Sequence, residues 1–290
     1  MANEGGAWTM YGVDEDDPYY IHMVDQLIEY INEIGFLPLF KNEIPGFSVE
    51  ERTVPHYWWS GDQERDPWEW REIIARSGKV AYGKFFNKKA GFISLEWLPY
   101  FANLRRDGYD FDALWDDEKA SIRQKKIMDL FEKNEALFSA DIKQMAGFGK
   151  NGEKNFEGTI TDLQMRTYLV MCDFRRKRNK AGFEYGWPVA VYSTPENLWG
   201  YDLVTSAYKE KPEESAKRIY QYIKDEIQVV KERDPAIKSN MEVFLYPSFK
   251  AILHYRVAHR LYLSKHYFVA RWISQYCFPG TVRLYASSFA

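Results

Sequence analysis

The first hundred residues alternate between helical and strand patterns. In YYIHMVDQLIEYINEIG the apolar residues recur every three or four positions, at Tyr20, Met23, Leu27, Ile31 and Ile34. This spacing predicts a helix that ends at Gly35. A second helix is predicted in DPWEWREIIARSG, where Asp66 can cap the N-terminus and Pro67 suits the first helical position. KVAYGKFFNKKAGFIS predicts two short strands joined by a turn at 87–91.

The middle of the chain has the pattern of a winged helix-turn-helix. DDEKASIRQKKIMDLFEKNEALF predicts one helix, SADIKQMAGFG a short helix capped by Ser139, and TITDLQMRTYLVMCDF a helix followed by a strand. The basic turn RRKRNKAGFEYG and the strand WPVAVYSTP complete a hairpin. This order of elements predicts an α+β fold: a winged helix-turn-helix domain with extra N-terminal helices and strands.

The C-terminal part predicts helices only. KPEESAKRIYQYIKDEIQVVKERDP begins with Pro212 at the first helical position and has an apolar stripe that stops at the Asp234–Pro235 pair, and two more amphipathic helices follow. The charge also changes, because residues 221–290 contain 10 Lys and Arg against 5 Asp and Glu, whereas the whole chain has a net charge of −3. We therefore predict a domain over 1–210, an all-α helical segment over 211–276 and a separate tail over 277–290.

Cysteine content and the N-terminus restrict the class of protein. Cys172 and Cys277 are the only cysteines and lie far apart, which excludes a disulfide framework and a cysteine zinc site. The acidic N-terminus lacks the apolar region of a signal peptide, and no apolar run approaches the roughly 20 residues that span a bilayer. We therefore predict a cytoplasmic protein with no membrane span.

The basic turn is the best candidate binding site. It contains five cations within six residues, namely Arg175, Arg176, Lys177, Arg178 and Lys180. Such a turn suits contact with phosphates, while Thr161, Gln164 and Arg166 on the preceding helix would face a groove. DNA is therefore a candidate partner. A solvated turn and a protein-interaction surface are the alternatives.

Other motifs favour structural roles. GFGKNG has the G-x-G-x-x-G spacing at 147–152, but it follows a helix where a dinucleotide site needs a strand. The acidic clusters at 14–17 and 116–118 are predicted at helix starts, where acids favour the helix dipole. The tryptophans Trp58, Trp59, Trp68 and Trp70 favour a core over base stacking. The sequence thus predicts no catalytic set, no metal site and no cofactor.

Several separate short segments, over roughly residues 18–215, resemble sequences of the AlkZ-related family. They are INEIGFLPLF, IPGFS, DPWEWREIIA, YGKFFNKKAGFIS and EGTITDLQ. The family consists of winged-helix proteins distantly similar to bacterial DNA glycosylases that excise bulky alkylated or crosslinked bases, so the resemblance implies nucleic-acid binding. Those glycosylases have a Q-x-Q motif that positions the hydrolytic water. This chain contains no Q-x-Q, which argues against base excision.

A second resemblance covers about residues 223–275. Three short segments are similar to the N-terminal helical segment of bacterial serine O-acetyltransferase, namely VVKERDPAIKS, YPSFKAI and YRVAHRL. In that family these helices form oligomer contacts, and the resemblance assigns a serine contact to Asp234. The family continues with a β-helix of hexapeptide repeats that holds the catalytic His–Asp pair and acetyl-CoA. Here YCFPGTVRLYASSFA follows instead, as expected of a truncated or frameshifted fusion.

The residues of the C-terminal part also argue against acetyl transfer. Such a reaction needs a general base, usually a histidine oriented by a carboxylate. No Asp or Glu follows Glu242 to orient His254, His259 or His266. An interfacial membrane helix is the alternative reading of this acid-free, aromatic segment.

Two hypotheses of function follow. In the first, the domain binds nucleic acid and the C-terminal helices serve as a docking or self-associating appendage. In the second, the chain takes part in cysteine biosynthesis by co-assembling with intact serine acetyltransferase subunits.

Overall fold

The computed structural model describes residues 2–4, 7–179 and 181–233, with side chains described for 10–179 and 181–225. Contacts divide the chain into a compact unit, Met1–Glu226, and a second unit, Ile227–Ala290. The predictions for Lys180, for Asp234 and for the helices beyond Arg233 lie outside the described residues.

The described residues form α-helices, strands and short 3-10 helices. The α-helices are α1 Val24–Ile34, α2 Pro67–Ser77, α3 Leu98–Arg106, α4 Phe111–Asp116, α5 Ile122–Met128, α6 Ser139–Met145, α7 Phe156–Met165, α8 Pro195–Trp199, α9 Tyr201–Val204 and α10 Pro212–Arg233. The strands are β1 Ala2–Glu4, β2 Ala7–Thr9, β3 Phe36–Pro38, β4 Val80–Phe86, β5 Lys89–Ser94, β6 Ala136–Phe138, β7 Val170–Arg178 and β8 Glu184–Ser193. The 3-10 helices are Glu50–Arg52, Pro55–Tyr57, Asp129–Glu132 and Ser206–Lys209.

Local signals explain where the first two helices begin and end. α1 ends before Gly35, whose φ of 80° suits glycine. The carboxylate of Asp66 caps α2 by accepting from the backbone N–H of Trp68 at 2.8 Å, and it also accepts from the N–H groups of Trp59 and Gly61. The helix ends at Gly78 in the left-handed conformation. Both predicted helices are confirmed.

A six-stranded antiparallel sheet with the order β3-β5-β4-β7-β8-β6 forms the centre of the fold. β1 and β2 pair separately. The β4–β5 turn consists of Asn87 and Lys88, both with positive φ, so it is tighter than the predicted 87–91 turn. The mixed class of helices and strands is therefore confirmed.

The sheet has the same arrangement on both sides of its centre. From either edge, a short edge strand is followed by the second and then the first strand of a hairpin. In the first half, β3 pairs with β5, the second strand of the β4–β5 hairpin. In the second half, β6 pairs with β8, the second strand of the β7–β8 hairpin. The first strands of the two hairpins meet in the middle, where Tyr82 opposes Met171. Each half also has a helix before its short edge strand and a helix before its hairpin.

The single helix predicted over 116–138 is wrong. The helix α5 begins after Ser121, whose side chain forms a capping box with Gln124, and it stops at Met128. Residues Asp129–Glu132 are a 3-10 helix, and Ala136–Phe138 form the edge strand β6. Pairing with β8 prevails over helical spacing for these last residues.

The core lies between the sheet and the helices that cover it. Within the described residues, one cluster of buried side chains extends from Met10 to Ile219 and includes both halves of the sheet. Trp58 and Trp70 are buried, as predicted, whereas Trp59 is 46% exposed. Among the described residues, no helix combines the length and the apolar character needed to cross a bilayer.

Candidate nucleic-acid interface

The four described cations of the predicted basic turn lie on the β7–β8 hairpin. Arg175, Arg176, Lys177 and Arg178 are all exposed on β7. The hairpin pairs Lys177 with Tyr185 and Arg178 with Glu184. Asn179 closes the tip, because its Oδ1 accepts from the N–H groups of Ala181 and Phe183, each at 3.0 Å. The structure therefore brings these cations together on one exposed element.

Weak contacts orient these cations without neutralising them. The Nε of Arg175 lies 2.8 Å from Asp173 Oδ2, and Nη2 of Arg178 lies 3.1 Å from Glu184 Oε1. Arg176 donates to the carbonyl of Gly186 at 3.2 Å. Lys177 forms no ion pair within the described part of the chain. Exposed ion pairs of this kind contribute little to stability, so the guanidinium and ammonium groups remain available to bind an anion.

An ion-pair network fixes the base of the hairpin to α2. Arg76 contacts Asp173 through Nε at 2.5 Å and donates to the carbonyl of Phe174 at 3.0 Å. Burial alone would raise the pKa of Asp173, but hydrogen bonds from Arg76 and Arg175 lower it below its usual value. The carboxylate is therefore ionised at neutral pH and holds the hairpin against the helix.

A groove of about 870 Å³ lies along the hairpin. It is lined by Glu72, Arg76, Phe138, Asp141, Phe174, Arg175, Arg176, Lys177, Arg178, Glu184, Tyr185 and Pro188. Cations outnumber acids in this lining. Burial also raises the pKa of Glu72, which weakens one of the opposing negative charges at acidic pH. The groove therefore favours an anionic ligand.

Three exposed aromatic side chains accompany the cations. Phe183 is 71% exposed, Tyr185 53% and Trp187 83%. They occupy every second position of the sequence, but Phe183 precedes β8, and the β7–β8 register is irregular where Gly186, with a φ of 75°, separates Tyr185 from Trp187. The sequence pattern does not single out these three residues, because it predicts FEYG as part of the turn and WP as the start of the next strand.

The predicted residues on α7 do not join this groove. Gln164 is completely buried, with its Oε1 accepting from the N–H of Lys84 at 3.1 Å, so the expectation that it faces a groove is wrong. Thr161 is half-buried. Arg166 is half-buried and lines a different cavity. A helix packed on β4 must bury one face, and Gln164 lies on that face.

That second cavity, of about 670 Å³, is mainly apolar. Its walls include Phe36, Phe40, Phe47, Phe85, Phe86 and Phe101. The guanidinium of Arg105 lies 4.7 Å from the ring centre of Phe101, and burial lowers the pKa of Arg105 to about 10. Such a lining suits a planar apolar group better than a phosphate chain.

The remaining motifs have structural surroundings. GFGKNG forms the loop between α6 and α7, as predicted. The acids at 116–118 lie at the C-terminal end of α4, with Asp116 its last residue, and do not start a helix, which corrects the prediction. Asp117 accepts a hydrogen bond from the hydroxyl of Tyr109 at 2.8 Å. The acids at 14–17 also precede α1 by several residues. Within the described residues, no group of three His, Cys, Asp or Glu side chains is arranged to hold a metal.

Comparisons with known proteins agree with both resemblances. Serine acetyltransferase of Bacillus subtilis is 46% identical over 57 residues, and that of Bacillus licheniformis is 44% identical over 57 residues. Each match covers 19% of this chain and 26% of the enzyme, so the chain spans about a quarter of those relatives. No solved structure matches the chain. A sequence model described as AlkZ related matches residues 21–236, and the chain therefore belongs to the AlkZ-related family.

Proposed function

We propose that residues 1–210 form a nucleic-acid-binding module and that the β7–β8 hairpin contacts the phosphate backbone. The four exposed cations on β7, next to a groove with an excess of positive charge, are the observation that supports it most directly. Phosphate contacts of this kind supply affinity without reading sequence.

The connections of the second half support a winged-helix architecture. The order α5, β6, α6, α7, β7, β8, with β6 paired to β8, is that of a helix-turn-helix followed by a wing. The first half has a related order, with α1, β3, α2 and the β4–β5 hairpin. We therefore propose that the sheet consists of two winged-helix units joined through β4 and β7.

Membership of the AlkZ-related family also supports nucleic-acid binding. The family name points to a DNA-glycosylase-like domain. Base excision is not part of our proposal, because the chain has no Q-x-Q motif and the glutamine nearest to the hairpin on α7, Gln164, is buried. Binding without excision is the function that the residues support.

The test replaces Arg175, Arg176 and Arg178 together with alanine. If these side chains contact phosphates, the slope of log affinity against log salt for duplex DNA should fall by about 2 to 3, because each contact releases about 0.9 counterion. Fluorescence anisotropy over a range of salt concentrations measures this. As a matched control, alanine at the exposed Lys133, Lys150 and Lys209 removes the same charge elsewhere. Equal slopes for the two triple variants would show that the hairpin is not the contact.

A second proposal concerns the segment similar to serine acetyltransferase. Identity of 44–46% over 57 residues supports association of this segment with intact serine acetyltransferase subunits or with a second copy of the chain. The resemblance still assigns Asp234 a serine contact. Acetyl-CoA and serine would be bound by the intact partner, in keeping with a role in cysteine biosynthesis.

Size-exclusion chromatography with Bacillus subtilis serine acetyltransferase tests this association. The full chain should co-elute with the enzyme, whereas a chain ending at Glu226 should not, because it lacks most of the segment that resembles the enzyme. Separate elution of the full chain from the enzyme, with no self-associated species, would contradict the proposal.

A further inference from the structure

We infer that the β7–β8 hairpin binds an unpaired nucleic-acid strand, with bases stacked on Phe183, Tyr185 and Trp187 and phosphates held by the β7 cations. The inference rests on the proposed function and specifies its substrate class. It concerns three aromatic residues for which neither the sequence motifs nor the family match assigns a role.

The first argument is the exposure of the aromatic rings. Trp187, at 83%, and Phe183, at 71%, are the most exposed of the large apolar side chains in the described part of the chain. Neither ring stacks on another ring or on a cation among the described residues, although such contacts are frequent elsewhere in this domain. Three large aromatic side chains this exposed within five residues of sequence mark an interaction site. Aromatic faces bind bases of any identity.

The second argument is charge. Two of the three aromatic residues, Tyr185 and Trp187, lie next to cations of β7 in the hairpin. Lys177 opposes Tyr185, and Arg176 donates to the carbonyl of Gly186, the residue before Trp187. A ligand that satisfies both features must be anionic and must present flat apolar faces. A nucleic-acid strand combines the two at every nucleotide.

The third argument is access to the base faces. Phe183 precedes β8, and the β7–β8 register is irregular where Gly186, with a φ of 75°, separates Tyr185 from Trp187, so the three rings do not form one flat row. Stacked bases in a duplex are only about 3.4 Å apart, so their faces are closed to side chains. Rings that bind base faces therefore favour a strand whose bases are not held in a duplex.

The fourth argument comes from α7, the helix that would enter the groove of a duplex in a winged-helix complex. Its exposed residues include Glu157 and Asp162, and it contains no Lys or Arg from Phe156 to Met165. Both carboxylates would lie against phosphates and repel them. Insertion of α7 into a duplex groove is thus unfavourable, whereas binding to the hairpin alone does not involve this helix.

The test compares a labelled 12-nucleotide thymidine oligomer with a 12-base-pair duplex by fluorescence anisotropy. The unaltered chain should bind the single strand more tightly. Combined Phe183→Ala and Trp187→Ala should weaken single-strand binding by at least tenfold, since stacking contributes about 5- to 150-fold per base. Duplex affinity should change by less than about threefold. Trp187→Phe keeps a ring and should retain most of the single-strand affinity.

The control variant is Trp59→Ala, which removes an exposed tryptophan outside the hairpin and should not affect binding. Circular dichroism confirms that each variant is folded, as expected for exposed positions. If the chain binds both oligomers but the aromatic variants bind the single strand normally, the inference fails and the proposed function stands. If the unaltered chain binds neither oligomer, both fail. A change in oligomeric state on replacing Trp187, without any effect on oligomer binding, would identify a protein-docking surface and overturn the inference.

Discussion

At the scale of single residues, Arg106 is the clearest case of a side chain whose role depends on distant partners. It is 1% exposed, and its guanidinium contacts Glu196 Oε1 at 2.5 Å and the carbonyl of Thr167 at 2.6 Å. Burial alone would lower the pKa of Arg106, but Glu196 and Tyr208 outweigh it and raise the pKa. Nothing near Arg106 in the sequence indicates this role, because Glu196 is 90 residues away.

This arrangement predicts that Glu196→Ala destabilises the domain by about 3 kcal/mol. The variant leaves the guanidinium of Arg106 buried and without its anion, which is more unfavourable than losing an exposed pair. Glu196→Gln should destabilise less, because its amide oxygen can still accept from Arg106. Urea unfolding followed by circular dichroism gives the difference. As a control, alanine at the exposed Glu213 should change stability by less than about 0.5 kcal/mol. A loss for Glu196→Ala no larger than that control would contradict the prediction.

Gln164 shows the same limit of residue-level reasoning from sequence. A glutamine on a predicted groove-facing helix suggests base contact, yet its amide bonds to the backbone of β4 and of its own helix. Which face of α7 is buried depends on the sheet it packs against. The four β7 cations were placed correctly on an exposed hairpin because charge density alone keeps such a segment at the surface.

At the scale of elements, predictions succeeded where the signal is local. Glycines after α1 and α2, and the Asp66–Pro67 start of α2, fix helix ends through backbone conformation and capping within a few residues. The prediction failed for the edge strand β6. Its residues, Ala136–Phe138, continue a helical spacing in the sequence and form a strand only because they pair with β8. Edge strands of three residues have too little sequence to outweigh a helical pattern.

The two hairpins differ in how far neighbouring residues in the sequence predict their structure. Asn87 and Lys88 adopt positive φ in a two-residue turn, which an Asn-initiated turn suggests. The pairing of β7 with β8 brings Tyr185 opposite Lys177, and this neighbourhood is known only once the register is known. The candidate site could therefore be half predicted: its charges from the sequence, its aromatic partners only from strand pairing.

At the scale of the whole molecule, the two halves share a topology that the sequence hides. No internal repeat is visible in the sequence, yet the strand order β3-β5-β4-β7-β8-β6 is symmetric about the β4–β7 contact. Only the order of connections is common to both halves, and many different sequences can satisfy it. A single buried cluster includes both halves, so each half depends on the other for part of its core.

This shared core predicts that the two halves unfold as one cooperative unit. Phe92 on β5 is fully buried in the first half, and Phe92→Ala should destabilise the domain by about 3 to 5 kcal/mol. If the halves are coupled, hydrogen exchange followed by mass spectrometry should show β8 amides near Val191 losing as much protection as β5 amides. Alanine at the exposed Lys89, three residues earlier on the same strand, is the matched control and should leave both unchanged. Unaltered protection of β8 in Phe92→Ala would show that the second half is stable on its own, and that the β4–β7 contact joins two independent units.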